Sequence, residues 1–222
     1  MSRLPLASPA VEECPVHVNN PYTTRWARCY DRLFCIPPFT QIRRSEERTL
    51  DQMMASTFRP GDDVLEVGPG TGRYTVEFAR RIARLTAVEH SLEMITQLHR
   101  TLEREAVDNC TIIHSDFMQA PLAQQYDVVA IIGVLDYVED PATFLGKAAS
   151  LARRELLFTT PYCGLLAHLH RIGNNLRGIA VTTYNEAQIR SYLPDFDVEI
   201  APSGLHTSLW RGLTLVCRAT RP

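Results

Sequence analysis

The chain has 222 residues, 45% of them hydrophobic, and a formal net charge of −2 at pH 7. That length suits one domain with room for an appended segment, and the apolar share can fill a full-sized core. The slightly negative charge gives no bulk attraction to nucleic acid, and without a run of about eighteen apolar residues no spanning helix is expected.

Among 23 lysines and arginines, Lys147 is the only lysine, which excludes a mechanism built on a lysine pair or a Tyr-x-x-x-Lys dyad. Six cysteines (Cys14, Cys29, Cys35, Cys110, Cys163, Cys217) contain no Cys-x-x-Cys pair. They read as reduced thiols rather than a disulfide framework or a zinc site, and no metal is expected. A cysteine cluster formed only in space stays open. The first twenty residues lack an apolar h-region, so no secretory signal and a cytoplasmic location are expected.

Residues 1–20 are expected to be poorly ordered. From Pro21, the aromatic residues Tyr22, Trp26, Tyr30 and Phe34 recur every four residues, which places them on one face of a helix. Pro37 and Pro38 end it. A second helix is predicted over residues 41–58 with Leu50, Met53, Met54 and Phe58 inward. Together, residues 21–58 form a candidate helical lid, and a domain over 59–222 follows.

Asp63-Val64-Leu65-Glu66-Val67-Gly68-Pro69-Gly70-Thr71-Gly72-Arg73-Tyr74 reads as strand, tight glycine turn, helix. In an open α/β sheet such a turn lies at the carboxyl end of a strand, where ligands bind. Glycine lets the backbone approach a ligand closely, and a helix start presents free N–H groups. A dinucleotide fingerprint needs Gly-x-Gly-x-x-Gly/Ala. Here the third position of that pattern is Arg73, and the third glycine is instead Gly72. Beyond it the sequence alternates strands (85–89, 111–114, 126–132, 155–159) with helices (71–83, 91–104, 141–152, 165–176, 185–193). Strands at 198–201 and 213–218 close it. Alternation with short connections implies a parallel doubly wound sheet, and two final strands with no helix between them imply an antiparallel hairpin at one edge.

The segment Glu66 to Gly72 resembles motif I of the class I S-adenosylmethionine-dependent methyltransferases. The resemblance implies a Rossmann-like α/β fold with a seven-stranded sheet and S-adenosyl-L-methionine as cofactor. Gly68, Gly70 and Gly72 form the turn, and Glu66 helps hold the methionyl ammonium. Glu89, nineteen residues past Gly70, matches the family's ribose-binding carboxylate, since one carboxylate can accept from both hydroxyls. Asp116 and Phe117 match the position whose acid meets the adenine amine and whose neighbour lies on the ring. A cap for Asp116 and a core place for Phe117 are the alternative. The run Tyr126 to Pro141 resembles motif IV of the quinone- and tetrapyrrole-modifying type, with Gly133 near the sulfonium and Leu135 and Tyr137 lining the reaction pocket. Many relatives carry histidine where Tyr137 stands.

Methyl transfer relies on alignment and exclusion of water, with a base needed only for a protonated nucleophile. Asp136, His168 and His170 are the base candidates; on a helix the two histidines point about 200° apart, so at most one faces inward. Tyr22, Trp26, Arg171 and Tyr184 are candidate acceptor contacts, with core packing the alternative for Tyr22 and Trp26. The expected function is methyl transfer to an O or N atom of a small, aromatic or lipid-like acceptor. The alternatives are an RNA or protein methyltransferase and a non-catalytic regulator that binds the cofactor. Nothing resembles the Asn/Asp-Pro-Pro-Tyr motif of base-methylating enzymes. Arg73 and the missing Tyr-x-x-x-Lys dyad argue against a nicotinamide oxidoreductase.

Overall fold

A computed structural model describes residues 39–161, 182–203 and 214–222. Helix α1 (Phe39–Thr57) leads into β1 (Asp63–Val67), α2 (Arg73–Ala79), β2 (Arg84–Glu89), α3 (Leu92–Arg104) and β3 (Cys110–His114). Strand β4 (Tyr126–Ile131), a 3-10 turn (Leu135–Tyr137), α4 (Pro141–Leu151) and β5 (Ala152–Pro161) follow. Helix α5 (Glu186–Tyr192), β6 (Asp197–Ser203) and β7 (Thr214–Thr220) complete the described elements. The seven strands form one sheet in the order β3-β2-β1-β4-β5-β7-β6. The first five are parallel, while β7 runs antiparallel to both β5 and β6. This is the doubly wound sheet with a terminal hairpin that the alternating sequence implies.

Strand alternation sends side chains to two helical layers. Val64, Val128 and Ala130 face α1 and α2 through Leu50, Met53, Met54, Phe58 and Phe78. Leu65, Val67, Val129 and Ile131 face α4 and α5 through Phe144, Leu145, Ala148 and Ile189. Burial on both faces is why the inner strands are continuous apolar runs. The stretch from Leu50 to Phe58, grouped in the sequence with a lid, is thus part of the core.

Local signals fix several element ends. Ser91 caps α3 by accepting from the Met94 N–H, and Asp140 caps α4 by accepting from the Thr143 N–H ahead of Pro141. Asn185 and Gln188 form a reciprocal capping box at α5. Other ends are tertiary. Asn109 donates from its side chain to the Ala79 and Ile82 carbonyls, closing the end of α2. Arg154 grips the Asp62 carboxylate with two nitrogens, at 3.1 and 2.8 Å, and donates to the Thr57 carbonyl. That arginine joins α1, the turn before β1 and β5. Strand β5 begins at Ala152, which pairs with Tyr126, rather than at Glu155 as the sequence suggests.

The parallel register aligns Val67 with Val88 and with Ile131, and Glu89 with His114. The loops after β1, β2, β3 and β4 therefore emerge along one edge of the sheet.

Candidate active site

The glycine turn after β1 is shaped by three different demands. Gly68 donates to the Val88 carbonyl, and Gly72 donates to the Pro69 carbonyl to close the turn. A side chain on Gly68 would strike Val134 Cγ2 at 2.6 Å, and one on Gly72 would strike Leu98 Cδ1 at 2.5 Å. These two glycines let the loop after β4 and helix α3 close on the turn. Gly70 differs, because a Cβ there meets no atom within 4 Å among the described residues, and the same is true of Gly133 after β4. Both have positive φ, +58° and +71°, so glycine leaves bare backbone facing open space at these two points.

Two carboxylates sit beneath this opening. Glu89 accepts from the Gly70 N–H through Oε2 at 3.1 Å. Its Oε1 accepts from the His90 and Ser91 N–H groups, both at 2.9 Å, and lies 3.1 Å from His90 Nδ1. Burial works to raise the Glu89 carboxyl, but the His90 imidazole and the Ser91 and Gly70 N–H groups outweigh it and hold it below the usual carboxylate range. The pairing lifts the His90 imidazole in turn, with Asp116 adding to the effect. Glu66, on β1, is only 2% exposed, and its Oε2 has no hydrogen-bond partner among the described residues. Burial pushes its carboxyl up to about 8, opposed by the Thr75 hydroxyl and reinforced by Glu89. The two acids are therefore tuned apart, Glu89 ionised and Glu66 protonated at neutral pH.

After β3, Asp116 is exposed and accepts from the Met118 N–H through Oδ1 at 2.7 Å. Phe117, next to it, is buried. It is 5% exposed, and its ring packs 4.8 Å from the Phe144 ring. After β4, the Gly133 N–H donates to Thr159 Oγ1 at 2.8 Å, Asp136 is half-buried, and Tyr137 is exposed. Leu135 is fully buried.

Tyr184 is tied to the loop after β4. It is 2% exposed, and its hydroxyl donates to the Leu135 carbonyl at 2.9 Å. Burial raises this phenol, which ties the loop after β4 to Tyr184 as a neutral donor. Tyr22, Trp26, His168, His170 and Arg171 lie outside the described residues. His90 and Thr159 join the site although no motif singles them out; their places at the carboxyl ends of β2 and β5 are the signal that marks them. Among the described residues no group of His, Cys, Asp and Glu could hold a metal ion, and no helix is long and apolar enough to cross a membrane.

A family model described as a methyltransferase domain matches residues 64–155. This span holds the glycine turn, both carboxylates, Asp116 and the loop after β4. Residues 64–155 thus carry a methyltransferase domain.

The methyltransferase domain has several kinds of relative. A ribosomal RNA small subunit methyltransferase A of Dehalococcoides mccartyi is 38% identical over 72 residues, covering 32% of this chain and 24% of that protein. A probable (S)-tetrahydroprotoberberine N-methyltransferase 2 of Papaver bracteatum is 25% identical over 108 residues, 47% of this chain and 30% of that protein. The matches thus span about a quarter of the length of the first curated relatives. The crystal structure of magnesium protoporphyrin IX methyltransferase from Synechocystis PCC 6803 with bound SAH shares the fold. Its TM-score is 0.70 at 24% identity, over 88% of this chain and 94% of that one.

Proposed function

We propose that this chain transfers the methyl group of S-adenosyl-L-methionine to an O or N atom of a small, aromatic or lipid-like acceptor. The observation that carries the cofactor reading is the pairing of bare backbone at Gly70 and Gly133 with two buried carboxyl groups, Glu66 and Glu89. The residues present fit the group. Ionised Glu89 has capacity for ribose hydroxyls, since each carboxylate oxygen accepts more than one hydrogen bond. Buried Glu66, with an oxygen lacking a partner, offers a site for the ammonium, and approach of a cation would lower its pKa. Asp116 is the candidate for the nucleobase amine. The cofactor supplies an activated methyl carbon; the chain's own residues hold it in line with the acceptor and keep water out.

Two features favour a small apolar acceptor. The exposed large hydrophobic residues among those described are Leu92, Met118 and Tyr137, at the start of α3, in the turn after β3 and in the 3-10 turn after β4. Interspersed with them are the carboxylates Asp116, Asp136, Glu139 and Asp140, which would repel a phosphate backbone. The base candidate within the described residues is Asp136.

The ribosomal RNA relatives support a second reading, methylation of RNA. Incubation with labelled cofactor and either a metabolite extract or total RNA separates the two. Label in a small organic product supports the proposal. Label in RNA, with salt-sensitive association, would overturn the acceptor class.

A further inference from the structure

We propose that Lys147 is a positioning residue for nucleobase recognition, holding the turn after β3 in the shape that presents the Asp116 carboxylate. The proposal rests on the cofactor reading above, in which Asp116 meets the adenine amine.

Lys147 lies on α4, on the far side of the core from the glycine turn. Its Nζ donates to the Phe117 carbonyl at 2.6 Å, the Met118 carbonyl at 3.1 Å and the Ala120 carbonyl at 3.4 Å. The same ammonium sits 5.1 Å from the centre of the Phe117 ring, which also packs on Phe144, three residues before Lys147 on α4. Helix α4 thus grips residues 117–120 by backbone and by ring.

That turn is what shapes Asp116. The Gln119 and Ala120 N–H groups donate to the Asp116 carbonyl at 3.1 and 2.8 Å, and the Met118 N–H donates to its Oδ1. These bonds set the direction of the carboxylate and leave its second oxygen for a ligand donor. Asp116 itself is exposed; no packing of its own would hold it, so its geometry is inherited from the turn.

The residue type is informative. Every other cation among the 23 lysines and arginines of the chain is arginine. Three carbonyls converging on one point suit a compact ammonium with three donors, whereas a planar guanidinium directs its donors outward in a fork. Arginine at 147 would have to displace the turn.

The test compares binding of S-adenosylhomocysteine and S-inosylhomocysteine, which presents a carbonyl where adenine has its amine, by calorimetry. Wild type, Lys147→Met, Lys147→Arg, Asp116→Asn and the Lys147→Met/Asp116→Asn double variant are compared. Wild type should prefer the adenosyl compound. Lys147→Met should cut that preference by about tenfold, the scale of one hydrogen bond to a charged group. Lys147→Arg should not restore it, and Lys147→Met should change nothing further in the Asp116→Asn background. A merely structural lysine would weaken both ligands equally and leave the ratio intact, which overturns the proposal. So does an arginine variant with wild-type preference. Should Lys147→Met fail to fold, Lys147→Arg against wild type carries the same comparison. Failure of wild type to bind either nucleoside overturns the cofactor reading instead.

Discussion

The Gly70 N–H points into Glu89 Oε2 at 3.1 Å, so the carboxylate that would hold a ribose also holds the turn that would meet the rest of the ligand. Glu89→Ala should therefore do more than remove an acceptor, because it frees Gly70, His90 and Ser91 together. We expect cofactor binding to weaken by at least about 1.5–3 kcal/mol, the range for hydrogen bonds to charged groups. Calorimetric titration checks this; an unchanged dissociation constant removes Glu89 from the site.

Gly70→Val should abolish cofactor binding while the domain stays folded. The side chain would clash with nothing among the described residues, but it would occupy the ligand's volume on a backbone with φ of +58°. Circular dichroism establishes the fold and calorimetry the binding. In contrast, Gly72→Val should destabilise the protein, because its side chain meets Leu98 and Thr101.

Glu66 should make stability depend on pH. Its folded pKa, about 8, lies above the usual carboxyl value of 4.5, so the folded state holds a proton that the unfolded chain releases. The contribution is fully present below about pH 4.5 and is lost as pH rises toward 8. Glu66→Gln imitates the protonated form. It should gain roughly 3 kcal/mol over wild type at pH 7, from 1.36 kcal/mol per pKa unit, and flatten the profile between pH 5 and 8. Urea unfolding across that range checks it. A parallel profile for the two proteins would mean that Glu66 is ionised throughout.

Tyr184→Phe removes the bond to the Leu135 carbonyl and leaves a buried acceptor without it. The expected cost is about 1–3 kcal/mol of stability, read as a lower denaturation midpoint, with the acceptor KM unchanged. A large KM effect with stability intact would return Tyr184 to the acceptor site.

The strand–helix order and the sheet's terminal hairpin were legible because they follow from period, glycine placement and caps such as Ser91 and Asn185. Glu66, Gly70 and Glu89 are named through the resemblance of their segments to a family motif. What could not be read was set by distant partners. Gly68 and Gly72 look like Gly70 in sequence, and only Val134 and Leu98 distinguish them. Phe117, Leu135 and Tyr184 carry side-chain types that suit a pocket, but Phe144 and a backbone carbonyl claim two of them for the core. Glu66's protonation depends on burial against Thr75 and Glu89, which no local pattern encodes.

Strand β7 lies between β5 and β6 although it comes after both in the chain. During synthesis β6 emerges first and has no neighbour, while the outer side of β5 stays unpaired until residues 214–220 arrive. Two open strand edges therefore coexist on the nascent polypeptide, a condition that invites pairing with other chains. Strand β7 is the keystone that seals both.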